Sequence, residues 1–168
     1  MENINVKNVI ISKQAEDSGN FQKFIKKTKK KKINIIIVNE GDRVDIEKNV
    51  YFDILWPDNN NLLSENALNN NSIVCKLHYN KFSMLFTGDI EKIAEQEIIY
   101  QYKNTNILNS TILKVAHHGS KTSSTQEFLN LIKPKIAIIG VGEDNTFGHP
   151  NKNIIERLQN KRCKNLQN

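Results

Sequence analysis

The sequence is poor in cysteine and lacks long apolar runs, and each shortage excludes a class of protein. Its 168 residues include two cysteines. They do not form a metal-binding spacing, so we expect a buried thiol at Cys75 and a tail thiol at Cys163 in a reducing compartment. No apolar run approaches the roughly 18 residues of a membrane-spanning helix, and there is no signal peptide. We therefore expect a soluble, cytoplasmic chain of one domain, long enough for a real core.

Positive charge is concentrated in one short segment. The net charge is +6, and residues 23–32 contain seven lysines and no acid. The rest of the chain is therefore slightly acidic. Such a segment can bind phosphates without sequence preference, or it can be a solvated helix end whose lysines lie near the terminal carbonyls. The lysines that we predict to contact nucleic acid are Lys26, Lys27, Lys29, Lys30 and, further along the chain, Lys121.

Apolar, β-branched runs alternate with helical patterns along most of the chain. Strands are predicted at residues 6–12, 33–38, 44–46, 50–56, 73–79, 82–86, 112–115 and 136–141. Helices are predicted around Phe21–Ile25 after a cap at Asp17–Ser18, and at 90–102, 124–132 and 151–158. The run 33–38 is expected to be a buried strand, and Ser124 with Glu127 forms a predicted capping box. The alternation favours an α/β fold, with a mixed sheet between helices and a frayed tail at 161–168.

Polar side chains that suit a metal follow two of these strands. Asp89 comes after the strand that ends at Phe86, and His117 and His118 come after the strand that ends at Val115. Carboxylate and imidazole groups are the usual ligands of zinc-like metals. Because neighbouring residues on an extended backbone point to opposite sides, we expect at most one of the two histidines to be a direct ligand. The other would contact the substrate or support the first, and His117 is also a candidate catalytic residue. The alternative for Asp89 is a simple helix N-cap.

Two further segments that follow strands carry side chains that could contact a phosphate. His149 lies in a Gly-His-Pro turn after the strand 136–141, where it could give a proton or bind a phosphate oxygen. The segment Ser120–Ser124 is rich in hydroxyls and either holds a phosphate or leads into the capping box. His78 lies inside a strand with no partner nearby in the sequence, so we interpret it as structural.

Taken together, four segments resemble the metallo-β-lactamase-type domain of the ComEC competence proteins. They are 70–74, 86–91, 113–123 and 148–150, and the string around His117 is highly specific. The resemblance implies an αββα sandwich, a divalent metal (zinc or manganese) at one sheet rim, and phosphodiester hydrolysis linked to DNA uptake. It matches Asp89 to a bridging aspartate, His117 and His118 to a late histidine motif, and His149 to the Gly-His-Pro segment.

One feature of that family has no counterpart in the sequence. Its members carry a His-x-Asp-x-Asp-His cluster shortly before the region that resembles Asn5–Ser12, and no such cluster occurs here. We therefore expect a partial domain over residues 1–160 with an incompletely bound metal and weak activity. Its partners would be DNA and the membrane channel of the resembled family. The alternatives are a non-catalytic remnant that needs a partner, or a nucleic-acid-binding subunit that uses Lys23–Lys32.

Overall fold

The computed structural model describes residues 4–13, 18–161 and 163–167. In chain order the elements are β1 (Asn8–Ser12), α1 (Gly19–Lys30), β2 (Asn34–Val38), β3 (Arg43–Glu47), β4 (Val50–Trp56), α2 (Ala67–Asn70), β5 (Val74–Tyr79), β6 (Phe82–Phe86), α3 (Lys92–Tyr102), β7 (Ile112–Lys114), α4 (Gln126–Ile132), β8 (Ile136–Ile139), α5 (Lys152–Asn160) and β9 (Lys164–Gln167). A 3₁₀ turn, Ala116–Gly119, follows β7.

The strands form two sheets. Strands β1 and β2 pair in parallel, and a second sheet has the order β3-β4-β5-β6-β7-β8-β9. Its first four strands are antiparallel neighbours, whereas β6 to β9 run in parallel. Each parallel connection includes a helix, as such crossovers require. The carboxyl ends of β6, β7 and β8 therefore meet at one edge of the sheet, which we call the rim.

Each face of the larger sheet packs against a different layer. Leu85, Leu113 and Ala137 lie side by side on β6, β7 and β8 and are buried in one core with α3, α4 and α5. On the opposite face, an apolar cavity of about 370 Å³ lies between residues of β3 to β6 and Ile10 of β1. Helix α1 packs on β2. The layers run helix, sheet, sheet, helix, which confirms the predicted αββα class.

Strand β2 differs from its prediction as a buried strand. Ile36 is 43 % exposed and Ile37 is 57 % exposed in the described structure. The small sheet has two strands and one packed helix, so parts of both its faces have no layer over them. An apolar run indicates a strand here, but it does not show how many layers cover that strand.

The end of the chain also differs from its prediction as a frayed tail. Lys164–Gln167 forms β9 and pairs with Ile136–Ile139 of β8. Cys163 is 7 % exposed and belongs to the main core, so it is not a tail thiol. The exposed edge of β8 supplies backbone partners that a short polar sequence does not reveal.

The predicted N-caps of two helices, α4 and α1, can be compared with the structure. Thr125, not Ser124, caps α4 by accepting the Phe128 N–H at 3.4 Å. Ser124 has a φ of +51°, and its N–H donates to Glu95, so the predicted capping box with Glu127 is wrong. Helix α1 is capped by Ser18 as expected. Asp17 lies outside the described residues.

Candidate functional site

The first part of the site is the turn that joins β6 to α3. Gly88 has a φ of +53°, and a Cβ there would lie 2.6 Å from the Cβ of Ser72. The turn therefore needs glycine, and it leaves the Asp89 side chain 41 % exposed at the rim. Helix α3 is capped at Glu91, so the alternative role of Asp89 as an N-cap is wrong. The carboxylate is free to contact the residues that follow β7.

The second part is the turn that carries the two histidines. His117 and His118 both have left-handed backbones, with φ values of +47° and +54°. The expectation that an extended backbone would turn them to opposite sides is therefore wrong. The His117 N–H donates to the carbonyl of Gly88 at 3.1 Å. A Cβ on Gly119 would lie 2.7 Å from the Cβ of Pro150, so the loop after β8 packs here as well.

The His118 ring is oriented by a backbone carbonyl. Its Nδ1 lies 2.6 Å from the carbonyl oxygen of Gly140, which can only accept a hydrogen bond. Nδ1 therefore carries the proton, and the lone pair of Nε2 points away from that bond. Nε2 lies 3.6 Å from Oδ1 of Asp89. A protonated Nδ1 held by a carbonyl, with Nε2 free, is the usual arrangement of a metal-binding histidine.

The His117 ring faces the carboxylate of Glu91, a residue that sequence reasoning did not single out. Its buried Nδ1 lies 3.4 Å from Oε1 of Glu91, and the two atoms form no hydrogen bond. Glu91 is itself fixed, because its carboxylate accepts bonds from Asn66 at 2.7 Å and Thr122 at 2.9 Å. Its N–H donates to Oδ1 of Asn70 at 2.9 Å. The Glu91 carboxylate thus has a set position behind His117.

His149 completes the group from the loop after β8. Its ring centre is 5.7 Å from that of His117 in an edge-on arrangement, and it stacks on Phe147. Asn145 fixes the backbone by accepting the His149 N–H and donating to its carbonyl. Burial, and then the neighbouring His117 and His118, lower the pKa of His149. The structure thus brings together Asp89 and all three predicted site histidines.

The donor set suits a divalent metal in kind but not in number. Asp89 Oδ1 and His118 Nε2 are the oxygen and nitrogen donors that zinc and manganese accept. However, the described residues contain no group of three or more His, Cys, Asp and Glu side chains arranged to hold a metal. His117 has Glu91 as its polar neighbour, so we do not group it with Asp89. Among the described residues, Asp89 and His118 are therefore the two donors that face each other at the rim.

The remaining predicted residues lie elsewhere. His78 lies in β5, stacks on Tyr51 and has Nε2 3.1 Å from Asp53, which fits its structural interpretation. The four predicted lysines of residues 26–30 are exposed on α1, which packs on β2 and is not one of the rim elements. Lys121 lines a polar cavity beside Glu91. The hydroxyl of Ser123 is buried and bonds the carbonyls of Ala116 and Ser120, so it is not available to a phosphate.

Known proteins related in sequence include several named for competence or recombination. The chain is 33 % identical over 154 residues to ComE operon protein 3 of Bacillus subtilis, covering 92 % of this chain and 19 % of that protein. It is 37 % identical over 109 residues to Recombination protein 2 of Haemophilus influenzae, covering 65 % and 13 %. It is 30 % identical over 110 residues to Competence protein ComA of Neisseria gonorrhoeae, covering 66 % and 15 %. The chain thus spans about a fifth or less of these relatives.

The fold also occurs in a solved structure, and the comparison with family models gives no match. A protein from Parabacteroides distasonis described as a metal-dependent hydrolase superposes with a TM-score of 0.53 at 11 % identity, covering 96 % of this chain and 75 % of that one. No family model matches the sequence. Within the described residues, no helix is both long and apolar enough to cross a membrane. The superposition shows that the chain has the fold of that hydrolase. The relatives in sequence support a relationship with the ComEC-type competence proteins.

Proposed function

We propose that the chain forms part of a metallo-β-lactamase-type hydrolase domain that cuts DNA phosphodiesters during DNA uptake. The observation that carries this proposal is the His118 ring, which is held through Nδ1 by Gly140 and directs Nε2 towards Asp89. The names of the relatives support a role in competence. The fold shared with a metal-dependent hydrolase supports the reaction class.

In this proposal each rim residue has a distinct task. Asp89 and His118 hold a divalent ion, zinc or manganese, which when bound polarises a phosphoryl oxygen. His149 contacts a phosphate oxygen or the leaving oxygen. Burial and the neighbouring histidines lower the pKa of His149, which favours its neutral form, and it acts through a ring N–H. His117, backed by the Glu91 carboxylate, keeps its other ring nitrogen for the substrate or for the ion.

The proposal also includes partners that the described residues do not supply. Because these residues offer two clear donors, further ligands must come from other protein segments for the site to be complete. Along with DNA, a membrane channel of the same family is the partner that the competence relatives suggest. An incomplete ligand set predicts that this chain binds metal weakly and cuts DNA poorly.

Metal titration of the purified chain tests the site. We expect weak binding of zinc or manganese by calorimetry or equilibrium dialysis, reduced about tenfold or more by Asp89→Ala and by His118→Ala. The matched control is His78→Ala, which removes a histidine paired with Asp53 away from the rim and leaves metal binding unchanged. If Asp89→Ala and His118→Ala bound metal like the unmodified chain, the proposed site would be wrong. Tight binding of two ions per chain would contradict the incomplete ligand set.

A second candidate function is nucleic-acid binding without hydrolysis through α1. The seven lysines of residues 23–32 are all exposed, and five of them lie on one helix. Such a surface binds phosphates in a salt-dependent way that ignores base sequence. The double variant Lys26→Gln with Lys29→Gln tests this candidate. A strong loss of DNA binding in this variant, together with no metal binding at the rim of the chain, would favour it.

A further inference from the structure

A polar cavity is lined in part by Glu91, whose carboxylate also faces His117. Its volume is about 530 Å³, and its polar lining includes Glu91, Lys92, Lys121, Thr122, Thr125 and Arg157. We propose that this cavity binds a phosphate of a nucleic-acid strand, one that neighbours the phosphodiester at the rim. The proposal rests on the proposed function, because it adds a binding subsite to the same reaction.

Hydrogen bonds between three elements bring the cationic side chains together. The N–H of Lys92, at the start of α3, donates to the carbonyl of Thr122 at 2.8 Å. Arg157, on α5, donates through Nη1 to the carbonyls of Ser123 at 3.4 Å and Ser124 at 3.1 Å. The loop after the histidine turn is thus tied to both helices. These ties place Lys92, Lys121 and Arg157 around one cavity.

The charges of the cavity favour an anion. Three cationic side chains line it, against the two carboxylates of Glu65 and Glu91. The Glu91 carboxylate already accepts bonds from Asn66 and Thr122, one at each oxygen, and it keeps its negative charge, so the lining carries three positive and two negative side chains. The Thr122 hydroxyl is used in that bond, so recognition falls to the lysines and the arginine. Arg157 is half-buried and held by its Nη1 bonds, so its planar fork is ordered before a phosphate arrives.

The size and position of the cavity favour a nucleotide unit over a small free anion. Pockets for small ligands have volumes of roughly 300–1,000 Å³, and this cavity lies within that range. Glu91 forms part of the cavity wall, and its Oε1 also lies 3.4 Å from Nδ1 of His117. A strand that crosses the rim at the histidines can therefore place its next phosphate among Lys92, Lys121 and Arg157.

Binding of a short labelled oligothymidylate without metal tests the subsite by fluorescence anisotropy at several salt concentrations. We expect Lys92→Gln with Lys121→Gln to weaken binding about tenfold at low salt and to reduce the salt slope by about two charges. Both lysines are exposed, so neither substitution should affect folding. The matched control is Lys48→Gln with Lys81→Gln. It removes the same charge from exposed turns at the opposite edge of the sheet and should change binding little.

Three results would overturn the subsite. They are an unmodified chain that does not bind the oligonucleotide, an equal loss in the cavity and control variants, and a loss confined to Lys26→Gln with Lys29→Gln on α1. Metal titration separates this failure from failure of the proposed function. The cavity variant should keep the metal affinity of the unmodified chain, whereas Asp89→Ala should lose metal and keep oligonucleotide binding.

Discussion

Gly88 and Gly119 allow three loops to approach one another at the rim. Both have positive φ values, and a side chain at either would meet another loop. The close packing brings the His117 N–H onto the Gly88 carbonyl, and so it couples the turn that holds Asp89 to the turn that holds the histidines. At the scale of single residues, the site depends on backbone contacts as much as on its charged side chains.

Gly88→Ala should destabilise the protein by about 1–3 kcal/mol, because alanine is strained at positive φ and its Cβ would crowd Ser72. Chemical denaturation of both proteins measures the difference. Gly19→Ala is the control, since a Cβ there has no neighbour within 4 Å, and it should be neutral or slightly stabilising. Adding Ser72→Gly should recover the steric part of the loss. Equal stability of Gly88→Ala and the unmodified chain would contradict the turn geometry.

The start of helix α4 shows how one element positions the loop before it. Glu95 on α3 is fully buried and accepts the N–H groups of Ser124 and Thr125, the latter at 2.8 Å. Burial raises the pKa of Glu95, and these bonds together with Arg157 oppose that rise. The Glu95 carboxylate thus holds the residues that separate the histidine turn from α4. Thr125 then supplies the side-chain cap of the helix.

Thr125→Ala should destabilise the protein by about 0.5–2 kcal/mol, since the Phe128 N–H loses its acceptor. Thermal or chemical denaturation measures this loss. Thr125→Ser keeps the hydroxyl and should cost much less. Ser124→Gly should be neutral or stabilising because glycine adopts the φ of +51° without strain. A larger loss from Ser124→Ala than from Thr125→Ala would place the cap at Ser124.

At the scale of the whole molecule, the two faces of the larger sheet are covered unequally. Helices α3 to α5 bury one face, whereas the other meets Ile10 of the small sheet across an apolar cavity. Ile36 and Ile37 of the small sheet are exposed. At the rim between these layers Asp89 faces His118, and the described residues contain no group of three or more potential metal ligands. The covering of the larger sheet and the number of ligands at the rim are thus both decided at the scale of the whole domain.

The chain by itself should show little or no metal-dependent cleavage of DNA, because two-metal hydrolysis needs both ions and their full ligand sets. A fluorescent oligonucleotide assay with added zinc or manganese measures the rate. Fusion to a segment that carries a His-x-Asp-x-Asp-His cluster should raise metal binding first and cleavage second. In that fusion Asp89→Ala and His118→Ala should abolish cleavage, whereas His78→Ala should change stability alone. Robust cleavage by the present chain that is lost on Asp89→Ala would contradict an incomplete site.

Local patterns were enough to predict the order of strands and helices from β1 to α5, apart from the short α2, and the placement of Asp89, His117, His118 and His149 after strands. The physical reason is that periodicity and turn chemistry act over a few residues. Those patterns also carried the resemblance that predicted the αββα class, which the structure confirms. Lys121 lines the polar cavity, and its contact with nucleic acid stays a prediction.

Tertiary structure alone decided which groups face one another. The left-handed turn at His117 and His118, the Gly140 carbonyl behind His118 and the Glu91 carboxylate behind His117 depend on contacts between residues far apart in sequence. The exposure of β2 and the pairing of β9 with β8 likewise depend on which neighbours lie beside each strand. A single sequence records the donors, but long-range packing sets their distances, and those distances determine whether they can act on one ligand.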